Sequence, residues 1–118
     1  MTIAITTTAT DGVTVVSVKG ELDLSTAPAL REQLLNLFVD RVSLEHLIID
    51  LGQVPFIDST ALGVLVGAHR RLDAGQGRMT VVANESLQRI MHVTGLHQMW
   101  TLVEDLPVGA PTDGEPEP

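Results

Sequence analysis

Hydrophobic and polar residues follow two different periods along residues 1–103 of this chain. The segments Ile3–Thr8 and Val13–Val18 are rich in β-branched residues, and the dipeptide Asp11-Gly12 separates them. An Asp-Gly pair between two segments of this kind is a strong signal for a tight hairpin turn. The pattern therefore predicts that the chain opens with two antiparallel strands.

Three later segments show the 3.6-residue period of an amphipathic helix. Ser25 or Thr26 can cap the N-terminus of the first helix through its hydroxyl group. The second helix is predicted for about Thr60–Ala74 and the third for Ser86–Thr94, each followed by a glycine that can end it. The apolar stripe of the first helix consists of Ala27, Leu30, Leu34, Leu37 and Phe38.

Short apolar segments lie between the predicted helices. Leu47–Leu51 has the composition of a central strand that is buried on both faces, and Met79–Ala83 and Trp100–Val103 complete the set. Alternating strands and helices of this size favour parallel crossovers. We therefore predict an α/β domain in which a mixed sheet of four or five strands begins with the hairpin and is packed with helices.

Composition narrows the possible functions. The chain has 118 residues, no cysteine and a formal net charge of −8. This charge argues against nucleic-acid binding and against docking on anionic membranes, both of which need a cationic surface. No segment approaches the roughly 20 consecutive apolar residues of a membrane span, and the N-terminus lacks the pattern of a secretory signal. We expect a cytoplasmic protein.

The acidic excess is concentrated near the C-terminus. From Glu104 onward there are five acidic residues, no basic residue and four prolines. Such a stretch buries too little apolar surface to offset the entropy lost on ordering it. We predict one domain at residues 1–105 and a disordered acidic tail at residues 106–118.

The stretch Phe56–Gly67 contains residues that an ordinary helix start does not need. Ser59 lies at or beside the predicted N-terminus of the second helix, where it is either a plain capping serine or a phosphate acceptor. Gly63 and Gly67 each cost about 0.8–1 kcal/mol relative to alanine inside a helix, so they need a packing reason. Close approach of this helix to the sheet is the favoured explanation, and contact with a partner is the alternative.

Enzymatic interpretations have little support. Ser59, Asp58 and His69 supply the residue types of a hydrolase triad, but no Gly-x-Ser-x-Gly motif is present. His69 lies ten residues beyond Ser59 along the same helix, about 15 Å away, too far to activate the serine. No glycine-rich loop matches a nucleotide-binding motif. We expect no catalytic residue, metal or cofactor; the remaining histidines, without metal-ligand spacing, are His46, His92 and His97.

Two motifs resemble a known family. Gly20–Asp23 follows the second predicted strand and Phe56–Gly63 precedes the second helix, as in the STAS domain, and most closely as in the bacterial anti-sigma factor antagonists. Asn84–Ile90 and Val93–Leu96 also match the pattern, so the resemblance covers about residues 1–103. Ala61 departs from the commonest pattern, which has glycine there.

The resemblance implies a regulatory function. In that family the unphosphorylated antagonist binds an anti-sigma factor and thereby releases a sigma factor. The anti-sigma factor is also an ATP-dependent serine kinase that phosphorylates the antagonist and ends the interaction, and a phosphatase of the PP2C type restores it. The phosphorylated serine corresponds to Ser59, and Thr60 is the family's second hydroxyl. The expected partner-binding residues are Asp23, Leu24, Ser25, Thr26, Asp58, Ser59, Thr60, Leu62 and Gly63.

A second kind of STAS protein remains open at this point. The domain can instead be a scaffold that is not phosphorylated, or an accessory subunit of a lipid or anion transport system. Neighbouring genes distinguish the two: a sigma factor and a serine kinase favour the antagonist, and transporter genes favour the alternative. The intact Asp58-Ser59 pair favours a binding protein gated by phosphorylation and not an enzyme.

Overall fold

The structure, a computed structural model, describes residues 3–40 and 44–111. Within these ranges five strands and three helices follow one another in the order β-β-α-β-α-β-α-β, which confirms the predicted α/β class. A short 3₁₀ turn, Leu96–Gln98, precedes the last strand. The elements are β1 (Ala4–Thr10), β2 (Val13–Lys19), α1 (Ala27–Asp40), β3 (His46–Gln53), α2 (Ser59–Ala74), β4 (Arg78–Ala83), α3 (Glu85–Thr94) and β5 (Thr101–Val103).

The strands form one mixed sheet in the order β1-β2-β3-β4-β5. β1 and β2 are antiparallel, and each of the three later pairs is parallel. Asp11 and Gly12 both have positive φ, 49° and 82°, as the two central residues of a type I′ hairpin turn require. The structure thus confirms the hairpin followed by parallel crossovers.

The main core lies between one face of the sheet and the helices. Leu47, Ile49 and Leu51 of β3 are fully buried there, and the predicted stripe of α1 packs on the same face. In the described residues no helix is long and apolar enough to cross a bilayer. The face of α2 that is buried against this core consists of Ala61, Leu65, Ala68 and Leu72.

The opposite face of the sheet carries a smaller apolar cluster, to which none of the described helices contributes. Ile48 is buried in this cluster, so the central strand is covered on both sides as predicted. Leu106 and Ala110 pack against the cluster, which means that the first residues of the predicted tail contact the sheet. Residues 112–118, on which the rest of that prediction falls, lie outside the described residues.

Gly77, between α2 and β4, is the glycine that close packing requires. A Cβ atom there would collide with the carbonyl oxygen of Leu44 and would lie 3.0 Å from Cδ2 of Leu72. Any side chain would push the start of β4 away from the segment that leads into β3. The return from α2 to the sheet therefore depends on this residue.

Candidate functional site

Two loops at the carboxyl ends of β2 and β3 are joined by backbone hydrogen bonds. The N–H of Leu22 donates to the carbonyl oxygen of Phe56 at 2.9 Å, and the N–H of Asp58 donates to the carbonyl oxygen of Leu22 at 3.0 Å. Leu22 and Ile57 form an isolated parallel bridge, and both side chains are buried. The next residues along each loop, Asp23 and Asp58, are thereby brought to the same end of the sheet.

Asp58 caps helix α2. Its backbone is extended, and its Oδ1 accepts a hydrogen bond from the N–H of Ala61 at 3.0 Å. The helix begins at Ser59, one residue earlier than predicted. The interpretation of Ser59 as a plain capping serine is therefore wrong, because the preceding aspartate performs that function.

Ser59 is left with an exposed side chain on the first turn of α2. In the described part of the chain no residue forms a hydrogen bond with its hydroxyl group, and the N–H groups of Ser59 and Thr60 have no acceptor. Such unpaired N–H groups, together with the positive end of the helix dipole, favour negative charge at this position. Thr60 is exposed as well.

Asp23 organises the other loop. Its Oδ1 accepts hydrogen bonds from the N–H and the hydroxyl of Ser25, at 2.9 and 2.8 Å, and from the N–H of Thr26 at 3.2 Å. The Ser25 hydroxyl is the largest cause of a lowered pKa for Asp23, and partial burial opposes it. The prediction that Ser25 or Thr26 caps α1 is corrected, because Asp23 is the acceptor in the turn that leads into this helix.

Thr26 supports the loop from inside. Its side chain is only 5% exposed, its hydroxyl donates to the carbonyl oxygen of Glu21 at 2.7 Å, and it accepts from the N–H of Asp23 at 2.9 Å. Thr26 therefore has a structural role in this loop, and its contact with a partner stays a prediction. Leu62 packs partly against the main core, whereas Gly63 is exposed.

Two large apolar side chains are exposed beside these polar groups. Leu24 is 72% exposed in the first loop, and Phe56 is 48% exposed in the second. Sequence reasoning missed Phe56, although the position of one of only two phenylalanines in a loop directly before a helix was an available signal. We call the group the loop surface; it consists of Asp23, Leu24, Ser25, Phe56, Asp58, Ser59 and Thr60.

His69 does not join Ser59. Its ring packs edge-on against Trp100 with 6.1 Å between centroids, and its Nδ1 is buried with no hydrogen-bond partner. The ten residues between Ser59 and His69 span about 15 Å of helix. Across residues 3–40 and 44–111, no group of three or more His, Asp or Glu side chains is arranged to hold a metal ion.

Gly63 and Gly67 do not contact the sheet. Both are exposed, and a Cβ atom at either position would meet nothing within 4 Å. The prediction that close approach to the sheet explains them is wrong, because the buried face of α2 is formed by other residues. Both glycines line a groove between α1 and α2.

The fold and these motifs agree with a known domain. Residues 4–107 match the family model of the STAS domain. The chain belongs to the STAS domain family. The match covers all five strands and the three helices described above, so the whole described fold is that of a STAS domain.

Relatives of this STAS domain include named regulators. The anti-sigma-F factor antagonist RsfB of Mycobacterium tuberculosis is 36% identical over 107 residues, which cover 87% of this chain and 84% of the relative. The anti-sigma F factor antagonist of Paenibacillus polymyxa is 30% identical over 95 residues, 80% of each chain. A crystal structure of an anti-sigma factor antagonist from Mycobacterium paratuberculosis superposes with a TM-score of 0.80 at 37% identity, covering 89% of this chain and 88% of that one. These relatives are all named as antagonists of anti-sigma factors.

Proposed function

We propose that this STAS domain is an anti-sigma factor antagonist whose loop surface binds an anti-sigma factor that is also a serine kinase. Binding releases a sigma factor in the cytoplasm, phosphorylation of Ser59 by that kinase ends the interaction, and a phosphatase of the PP2C type restores it. The names of the relatives support the antagonist role. The observation that carries the switch is the exposed Ser59 hydroxyl, which takes no part in capping α2.

The loop surface has the composition of a protein-binding site. Leu24 and Phe56 supply exposed apolar area, and the neighbouring Asp23 and Asp58 supply polar groups held by hydrogen bonds. Large apolar side chains surrounded by polar groups form the centres of many protein interfaces. A partner that covers Leu24 and Phe56 also covers Ser59, because the backbone bonds of Leu22 hold the two loops together.

Phosphorylation at this position leaves the fold intact. A phosphate adds a charge of about −1.5 to −2, and negative charge at a helix N-terminus stabilises the helix by typically 0.3–1 kcal/mol. The hydrogen bond between Asp58 and the N–H of Ala61 does not involve Ser59. The modification therefore alters the surface offered to a partner and leaves the start of α2 in place.

The effect on a bound partner is large. A phosphate joins the carboxylates of Asp23 and Asp58 at a surface that binding must bury or bring close to the partner. A carboxylate of the partner that lies about 4 Å from the phosphate would be repelled by roughly 4 kcal/mol at an effective dielectric constant of 20. Since about 1.4 kcal/mol corresponds to a tenfold change in affinity, we expect phosphorylation to weaken binding about a hundredfold or more.

The test uses the full chain and the anti-sigma kinases encoded nearest to it. Affinity is measured by isothermal titration calorimetry, and mass spectrometry locates any phosphate formed after ATP is added. Ser59→Ala is expected to bind like the wild type and to stay bound with ATP, whereas Ser59→Glu binds at least tenfold more weakly. Ser86→Glu is the matched control, because Ser86 is also exposed in the first turn of a helix but lies outside the loop surface.

Several results would contradict the proposal. One is a Ser59→Glu variant that binds as tightly as the wild type, since the electrostatic account would then fail. Another is a phosphate found only on Thr60 or elsewhere. A third is binding to a component of a lipid or anion transporter and to none of the anti-sigma factors, which would make the domain a scaffold or an accessory subunit.

A further inference from the structure

A groove runs between α1 and α2 on the side of these helices that faces away from the sheet. Its volume is about 420 Å³. Phe38 and Val64 are half-buried in its walls, and the exposed Gly63 and Gly67 leave two positions of the wall formed by α2 without a side chain. The groove begins beside Thr60 and continues along both helices, so it adjoins the loop surface but is a separate feature. The remaining lining residues are Arg31, Leu34, Leu35, Ala68 and Arg71.

Gly63 and Gly67 lower the stability of helix α2, and no contact within the described chain explains their presence. Each lowers the stability of a helix interior by about 0.8–1 kcal/mol relative to alanine. A methyl group at either position would meet nothing within 4 Å, so no atom of the described chain uses the space. The absence of Cβ atoms lets another backbone lie close to α2, and helices pack by fitting a ridge of side chains into such a groove.

The rim of the groove is basic in an acidic chain. Arg31 and Arg71 line it and no acidic residue does, although the net charge of the chain is −8. In the part of the chain that the structure describes, neither guanidinium group forms an ion pair with a carboxylate, and that of Arg71 lies 5.3 Å from the ring centroid of Phe38. An occupant with apolar side chains and negative charges is therefore complementary to the groove.

The positions of the two arginines on two neighbouring helices indicate the form of the occupant. The parallel strands β2 and β3 send α1 and α2 from the same edge of the sheet, so the two helices run side by side in the same direction. Arg71 stacks on Phe38, and Phe38 lies seven residues beyond Arg31, about 10 Å along α1. A fatty acid has one anionic end, whereas a helix can present two acidic side chains to two cations, and side chains seven residues apart on one face are separated by about 10 Å along its axis.

We propose that the groove docks an amphipathic helix of a protein partner whose apolar stripe is flanked by two acidic residues seven positions apart. The apolar stripe packs against Phe38, Val64 and the two glycines, and the carboxylates pair with Arg31 and Arg71. Phosphorylation of Ser59 has no part in this interaction. The proposal therefore goes beyond the proposed function and is tested independently of it.

The experiment titrates the ¹⁵N-labelled full chain with a synthetic helical peptide and follows the amide signals of Gly63 and Gly67 by NMR. The probe has a leucine stripe at helical spacing and two glutamates seven residues apart, and a control peptide has lysine at both glutamate positions. We expect the shifts to centre on the two glycines. The lysine peptide is expected to bind about tenfold more weakly, because two partly exposed ion pairs are lost and two like-charge contacts replace them.

Two groove variants and one control sharpen the result. Gly67→Leu fills the groove from α2 and is expected to abolish binding of the glutamate peptide, while the free space around this position lets the domain fold. Arg31→Glu combined with Arg71→Glu is expected to invert the preference between the two peptides. Arg89→Glu changes the same charge at an exposed position on α3 and should have no effect. Thermal unfolding of each variant verifies that it is folded.

Four results would overturn the proposal. The first is an absence of shifts at Gly63 and Gly67, and the second is equal affinity for the glutamate and lysine peptides. The third is displacement of the glutamate peptide by sodium dodecanoate below its micelle concentration, which would identify a lipid site. The fourth is self-association of the free chain that Gly67→Leu abolishes, since the occupant would then be a second copy.

Discussion

Oδ1 of Asp58 accepts a hydrogen bond from the N–H of Ala61 at 3.0 Å, so the residue before the exposed serine closes the first turn of α2. The N–H of Asp58 is itself bound by the carbonyl oxygen of Leu22, which holds this backbone in the extended form that a cap residue needs. The capping side chain and the exposed serine side chain are thus adjacent but separate.

We expect Asp58→Ala to lower the free energy of unfolding by about 1 kcal/mol, the usual loss when a capping side chain is removed. Asp58→Asn should cost less, because its side-chain oxygen can still accept from Ala61. Ser59→Ala should change stability by no more than about 0.5 kcal/mol, as for most surface positions. Urea unfolding of the three variants measures this order. A loss in Ser59→Ala equal to that in Asp58→Ala would mean that the serine contributes to the cap.

Asp23 should contribute to acid sensitivity. Hydrogen bonds from Ser25 and Thr26 lower its pKa below the usual 3.8, so the folded state binds the proton less readily than the unfolded chain does. The stability this gives is present above about pH 4 and is lost as the pH falls through the lowered pKa. We therefore expect the urea midpoint of Asp23→Asn to fall less than that of the wild type between about pH 5 and about pH 3. Glu32→Gln, an exposed change on α1, is the control and should retain the wild-type slope.

His46 is expected to titrate below the ordinary range of histidine. Burial lowers its pKa from 6.5, the nearby Arg78 adds to the effect, and its Nε2 lies 2.8 Å from the hydroxyl oxygen of Thr80. The neutral ring is thus favoured in the folded state, and this contribution to stability is lost as the pH falls through 6.5 toward the lowered pKa.

An NMR titration of the histidine ring protons tests this directly. Arg78→Gln removes the second cause and should move the pKa of His46 part of the way back toward 6.5. Because burial is the larger cause, a complete return in this variant would show that the order of the two causes is wrong.

Two glycine substitutions are expected to change stability in opposite directions. Gly77→Ala should destabilise the fold by about 1–3 kcal/mol, since the new methyl group would collide with the carbonyl oxygen of Leu44. Gly63→Ala should stabilise it by up to about 1 kcal/mol, because the methyl group meets nothing and alanine is the better helix former. Thermal unfolding measures both changes. If Gly63→Ala were less stable than the wild type, the new methyl group would have to clash with a neighbouring atom, which contradicts the free space around this position.

Local signals were enough to predict most elements of this fold. The Asp11-Gly12 turn, the apolar run at Leu47–Leu51 and the stripe of α1 depend on neighbouring residues, and all three are present in the structure. The N-cap residue of α2 could not be predicted from local signals, because Asp58, Ser59 and Thr60 are all residue types that can cap a helix. The bonds of Leu22 to the second loop decide it, and a contact between residues more than thirty positions apart leaves no local pattern.

The orientation of α2 could not be predicted either. Its apolar residues extend almost all round the helix, so the sequence does not distinguish the side that faces the sheet from the side that faces the groove. Packing against the core places Ala61 and Leu65 inward and turns Gly63 and Gly67 outward. The exposure of Phe56 could not be predicted either, because it depends on how the two loops lie against each other, which the backbone hydrogen bonds of Leu22 determine.

The division of roles between Asp58 and Ser59 has a kinetic consequence. Under the proposed function, adding or removing a phosphate on Ser59 breaks no hydrogen bond in the described residues, so neither reaction has to wait for the domain to rearrange. The fold then sets no limit on how fast the proposed switch is turned on and off, and a molecule that has passed through many rounds is as stable as one that has not.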